Sequence, residues 1–248
     1  MSLHHRFEGE ETAPVLVLSG SLGTTLELWD ELVEPLSSRY RLLRYDHPGH
    51  GGSPPGPRTL DGFARALLDL LDEEGLERVS FCGLSLGGAV GMWLGANAAE
   101  RLDRLVLACM PPQVPPPSMW EERAALVRAE GTHVVADGAV GRWFTERFRE
   151  QRPDVVARFR AMIAGIGDEG YARGCEAVGG FDFRAETARI APPTTIVLGA
   201  HDPVVTDEGR AALARIPNAR WVELEAAHLA CVERPDEFAD AVLNVQEG

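Results

Sequence analysis

Six short runs of mostly aliphatic residues recur along the chain: APVLVLS (13–19), RLLRYD (41–46), VSFCG (79–83), RLVLAC (104–109), TTIVLG (194–199) and RWVEL (220–224). Several lack polar alternation and end in glycine, a small residue or aspartate, a pattern that predicts strands buried on both faces. Between the early runs the polar positions fall differently. In LDGFARALLDLLDEEG, Phe63, Leu67, Leu70 and Leu71 recur with a period near 3.6, which predicts an amphipathic helix. Strands alternating with helices predict an α/β architecture, a mainly parallel sheet flanked by helices.

The rhythm stops after Cys109. MPPQVPPPS (110–118) cannot continue a strand or a helix interior, and the residues that follow read as successive helices until Pro192-Pro193 restores the earlier pattern. An inserted helical cap is therefore expected over 111–190, on a core made of 1–110 and 191–248. Charge divides the same way: 111–190 holds 11 arginines against 12 acidic residues, a net of −1, which leaves −13 of the total −14 to the core. A nearly neutral lid over an acidic body suits a small anion, though chance clustering gives the same division.

With 248 residues, 45% apolar and 25% charged, the chain is of ordinary globular composition. Its acidity argues against nucleic acid and anionic membranes as partners, because both require a basic surface. No run of 18 apolar residues and no leader pattern opens or interrupts the chain, so a cytoplasmic protein is expected. Cys82, Cys109, Cys175 and Cys231 show no C-x-x-C spacing and read as small buried apolar residues. All 24 basic residues are arginine. The absence of lysine removes Schiff-base chemistry, a serine-lysine dyad and the phosphate-cradling loop.

One stretch carries chemistry. GLSLG (83–87) follows a predicted strand and precedes the helical GGAVGMWLGANAAERL, the context in which G-x-S-x-G makes a strained turn that exposes a serine, here Ser85. A plain glycine-rich turn is the alternative; a dinucleotide loop is not, since Ser85 occupies the place of its second glycine. Serine needs a base and the base a carboxylate. Asp202 lies just past TTIVLG and His228 shortly after RWVEL, and loops at the carboxyl ends of parallel strands share one sheet edge. Asp202-Pro203 also reads as a turn initiator, and His228 as a surface histidine. Backbone donors for an oxyanion are expected at Leu86, next to the serine, and at Leu22 in LSGSLG. His47, His50 and His201 form no metal-binding pair.

Together SGSLG, YDHPGHGGS, GLSLGG, GAHDP and AAH resemble the α/β-hydrolase family across essentially the whole chain. The segments MWEERAALVRAEG, GRWFTERFRE, MIAGIGDEGYARGCEAVGGFDFR and LEAAHLACVERPDEF are most similar to its 3-oxoadipate enol-lactonase branch. The resemblance implies a Ser85-Asp202-His228 hydrolase, without metal or organic cofactor, that opens a small anionic lactone or ester by way of an acyl-enzyme. It also implies a cap arginine for the substrate carboxylate, with Arg123 and Arg142 the candidates beside Trp120 and Trp143, which equally suit packing and solvent-facing roles. A carboxylesterase, a hydrolase of carbon-carbon bonds in ring-cleavage products, and a slow-hydrolysing ligand receptor share the same framework, and a homo-oligomer stays open. His47-Pro48 departs from the arginine many relatives carry before the glycine, and the short amino terminus implies a reduced first strand.

Overall fold

The computed structural model describes residues 2–114 and 116–244, so Met1, Pro115 and the last four positions of the expected core segment lie outside it. All six apolar runs are strands, and β1 (His5–Glu8) precedes them. They are β2 (Val15–Ser19), β3 (Arg41–Tyr45), β4 (Val79–Leu84), β5 (Leu102–Ala108), β6 (Thr194–Gly199) and β7 (Arg220–Leu224), in a sheet ordered β1-β3-β2-β4-β5-β6-β7. Every pair is parallel except β1 with β3. β1 has only four residues, with Phe7 its sole large apolar side chain, too little for periodicity to reveal.

Burial follows position in the sheet. The central β4 is wholly buried, as expected of a strand covered on both faces. β7 is not: it is the edge strand, and Trp221 is 41% exposed. The expectation of burial on both faces fails there: Arg220, Trp221 and Glu223 are exposed on a strand with a neighbour on one side only.

The helices of the core are α1 (Val33–Ser37), α2 (Leu60–Glu73) and α3 (Leu86–Asn97). α2 buries Phe63, Leu67, Leu70 and Leu71, the predicted face, and Thr59 caps it by accepting the Gly62 N–H at 3.2 Å. Between β5 and β6 the described residues form helices and no strand: α4 (Pro117–Glu130), α5 (Ala136–Trp143), α6 (Glu146–Gln151), α7 (Pro153–Ala164) and α8 (Asp168–Gly179). Arg128 of α4 donates to Glu169 and Glu176 of α8, each at 2.7 Å. Arg173 of α8 reaches the Gly56 carbonyl at 2.5 Å and seats the helices on the core. α9 (Asp207–Leu213), α10 (Ala230–Glu233) and α11 (Pro235–Leu243) complete the chain. All four cysteines are free and buried. Among the described residues no helix is long and apolar enough to cross a membrane.

Candidate active site

Ser85 joins the end of β4 to the start of α3 with φ 57° and ψ −117°. A side chain at positive φ costs about 1–3 kcal/mol and persists only where its surroundings enforce it. Here they do: the Ser85 N–H donates to the Ala108 carbonyl and the Gly87 N–H to the Gly20 carbonyl, each at 2.9 Å. A Cβ on Gly87 would overlap the Ser19 carbonyl, and one on Gly83 the Gly87 carbonyl. The spacing of glycines around the serine is therefore a steric requirement.

The loops after β6 and β7 run side by side, tied by Ala200 N–H to Leu224 O (2.8 Å) and His201 N–H to Ala226 O (3.0 Å). That pairing brings Asp202 to His228. Asp202 Oδ2 lies 2.9 Å from His228 Nδ1, and His228 Nε2 lies 2.8 Å from Ser85 Oγ. The second carboxylate oxygen accepts the Val204 N–H at 2.9 Å. An ionised carboxylate can only accept, so it holds the proton on Nδ1 and leaves the Nε2 lone pair directed at the serine.

Glu233, which sequence reasoning missed, braces the histidine loop. It is 9% exposed and accepts from the Ala227 N–H (2.9 Å), the Thr145 N–H (3.0 Å) and the Thr145 hydroxyl (2.7 Å), while the Leu229 N–H donates to Trp143 O at 3.0 Å. The residues on either side of His228 are thus bound to the α5–α6 junction. Glu233→Ala strands two amides, each at about 1–3 kcal/mol. Urea unfolding should show a loss of roughly 3 kcal/mol with an unchanged slope, and Glu233→Gln a smaller one.

The serine and histidine open on a cavity whose lining includes Leu22, Trp120, Arg123, Arg142 and Trp143, so every side chain expected near the substrate faces one space. The Leu86 side chain is buried, and its amide heads α3, where N–H groups lack helical acceptors. Trp120 donates to the Val114 carbonyl at 3.0 Å and Trp143 meets Phe159 edge-on, so both are walls. The Arg123 guanidinium lies over the Trp120 ring, 4.8 Å from its centroid.

Neither Arg123 nor Arg142 has an acidic partner within 4.0 Å among the described residues, although the chain carries excess acid. Burial first, and then the Arg123 charge, lower the Arg142 pKa from its usual value. The two guanidiniums face one cavity and repel each other across it. Tyr171 of α8 also lines this space, within electrostatic reach of both. It was not foreseen, because helical periodicity does not say which face of an inserted helix meets a cavity.

A family model described as alpha/beta hydrolase fold matches residues 13–235. The 3-oxoadipate enol-lactonase 2 of Acinetobacter baylyi is 35% identical over 98% of this chain and 92% of its own length. The crystal structure of the enol-lactonase from Burkholderia xenovorans superposes with a TM-score of 0.94 at 40% identity, covering 98% of this chain and 95% of that one. A hydrolase from Pseudomonas aeruginosa gives 0.93 at 42% identity, covering 98% and 93%.

Proposed function

The chain belongs to the α/β-hydrolase family and is a hydrolase of ester or lactone bonds, and on that premise we propose that it opens a small anionic enol lactone, 3-oxoadipate enol-lactone or a close analogue, through an acyl-enzyme on Ser85. The observation that carries the reading is a pair of arginines in the cavity shared by Ser85 and His228, neither with a carboxylate partner within 4.0 Å among the described residues. Two half-buried guanidiniums on one cavity favour a counter-anion, and a guanidinium binds a carboxylate in bidentate fashion.

His228 Nε2 takes the Ser85 proton as Oγ attacks the lactone carbonyl, and the Leu22 and Leu86 amides receive the developing oxyanion. Collapse breaks the ring carbon-oxygen bond. The enol oxygen leaves with the proton from His228 while still tethered to the acyl chain, and the enol tautomerises to a ketone. Water, deprotonated by His228, then attacks the ester carbonyl and releases the keto acid and Ser85. Helices of the 111–190 segment serve as the lid, with Arg123 and Arg142 holding the substrate carboxylate.

The test compares kcat/KM for the enol lactone, a small neutral aryl ester and a ring-cleavage dienone. The enol lactone should be the best substrate. Losing one charge-assisted contact costs about 1.5–3 kcal/mol, so Arg142→Ala or Arg123→Ala should raise KM for the lactone roughly 10- to 100-fold. KM for the neutral ester should move less than about threefold. Equal effects on both substrates, or a preference for the dienone, would overturn the assignment.

A further inference from the structure

The amide of Leu22 is offered above as an oxyanion donor, and the chain around it is pinned in an unusual way. Ser21 to Thr24 form a turn: the Thr24 N–H donates to Ser21 O at 3.1 Å, the Thr24 hydroxyl to the same oxygen at 2.8 Å, and Gly23 has φ +85°. A positive φ at the third position is the mark of a type II turn and requires glycine there. Because the peptide is planar and trans, fixing the Ser21 carbonyl toward Thr24 directs the Leu22 N–H the opposite way.

The two flanking peptides are held by histidines. His47 Nε2 lies 3.0 Å from Gly20 O, the carbonyl that also accepts the Gly87 N–H at 2.9 Å. A carbonyl only accepts, so His47 is protonated on Nε2. His50 is the reverse case: its Nδ1 lies 3.2 Å from Pro48 O and must donate, which leaves Nε2 to accept the Gly23 N–H at 3.1 Å.

Both rings are buried, at 2% and 0% exposure. Burial, the largest cause for each, lowers their pKa values to about 3 and about 4, so both are neutral at ordinary pH. The loop that carries them is itself rigid. Asp46 accepts the Leu26 N–H (2.7 Å) and the Gly52 N–H (2.9 Å), and its Oδ2 pairs with His4 Nδ1 at 2.7 Å. Three successive peptides, 20–21, 21–22 and 22–23, are thereby each fixed, and the middle one bears the Leu22 N–H.

We propose that His50, assisted by His47, is a positioning residue of the oxyanion hole, an imidazole that never meets substrate but aims the Leu22 amide by accepting the neighbouring Gly23 N–H. This rests on the reading of Ser85 and Leu22 given under the proposed function. A donor that moves by a fraction of an ångström is lost chiefly in the transition state, where the oxyanion is fully formed.

The experiment uses His50→Leu, which keeps bulk but cannot accept, and His50→Gln, whose amide oxygen can, with a small neutral aryl ester as substrate. Removing one oxyanion donor typically lowers kcat about 10²- to 10³-fold. His50→Leu should therefore lose at least about 30-fold in kcat with KM changed less than threefold, and His50→Gln should recover most of it. A boronate, which mimics the tetrahedral species, should bind His50→Leu more weakly by about the factor lost in kcat/KM, and a simple carboxylate product should bind both alike. Wild-type kcat in His50→Leu, or losses that only track the fraction unfolded, would refute the proposal. Should His50→Leu not fold, His50→Gln decides, since selective recovery of boronate affinity relative to His47→Leu is then required and its absence refutes. Labelling of the wild-type serine by an aryl phosphonate separates the two hypotheses: no labelling removes the Ser85 reading itself.

Discussion

Replacing Ser85 by alanine is expected to lower kcat about 10⁵- to 10⁶-fold while leaving the fold in place. The oxygen being removed is the atom that His228 Nε2 approaches at 2.8 Å, so neither covalent attack nor its deprotonation has a substitute. What survives should come from the oxyanion donors and substrate positioning, which together are worth about 10³ to 10⁴ over water. Alanine keeps the Cβ and hence the strain of φ 57°, so unfolding free energy should change by less than about 1 kcal/mol. Ser85→Gly removes that strain and should be the more stable of the two inactive variants, by about 1 kcal/mol after glycine's entropic penalty. Mass spectrometry of a quenched turnover should show an acyl adduct on the wild type and none on either variant. Turnover near the wild-type rate in Ser85→Ala would remove covalent catalysis from the mechanism.

The second large effect is expected at Asp202→Asn, about 10⁴-fold in kcat. Asparagine preserves shape, and its carbonyl can still accept the Val204 N–H that Asp202 accepts at 2.9 Å. The amide nitrogen then faces His228 Nδ1 as a donor. That selects the other tautomer, with the proton on Nε2 and pointed at Ser85 Oγ, so the base can no longer accept. The side chain of Asp202 is wholly shielded from bulk solvent. Nitrogen-15 spectra of the imidazole should report the exchanged tautomer with the chain still folded. A native tautomer alongside the same loss of rate would mean that the carboxylate acts through its charge alone.

Legibility differed from place to place for identifiable reasons. Interior strands declared themselves because burial on both faces demands unbroken apolar runs, as in β4 and β6. Of the edges, β1, four residues of mixed character, did not, whereas β7 was apolar enough to be noticed although it is largely open to solvent. Ser85 was legible because a strained turn restricts the residues on either side of it. Asp202 and His228 were legible by their place after successive strands, and the structure joins them through His228. His50 and Glu233 were not, since His50 accepts the N–H of Gly23, 27 residues away, and Glu233 that of Thr145, 88 residues away. Backbone partners leave no side-chain signature.

By its order of residues alone the chain determined its layered α/β class, the inserted helical stretch, the lack of any lysine chemistry and the strained turn that carries Ser85, since periodicity, composition and tight-turn sterics are local properties. Tertiary structure decided which helical faces close over the serine, that Arg123 and Arg142 share a cavity with no acidic partner within 4.0 Å among the described residues, and how two buried imidazoles hold the Gly20–Gly23 loop. Those are consequences of packing between segments distant in sequence, and direction and burial arise only when such segments come together.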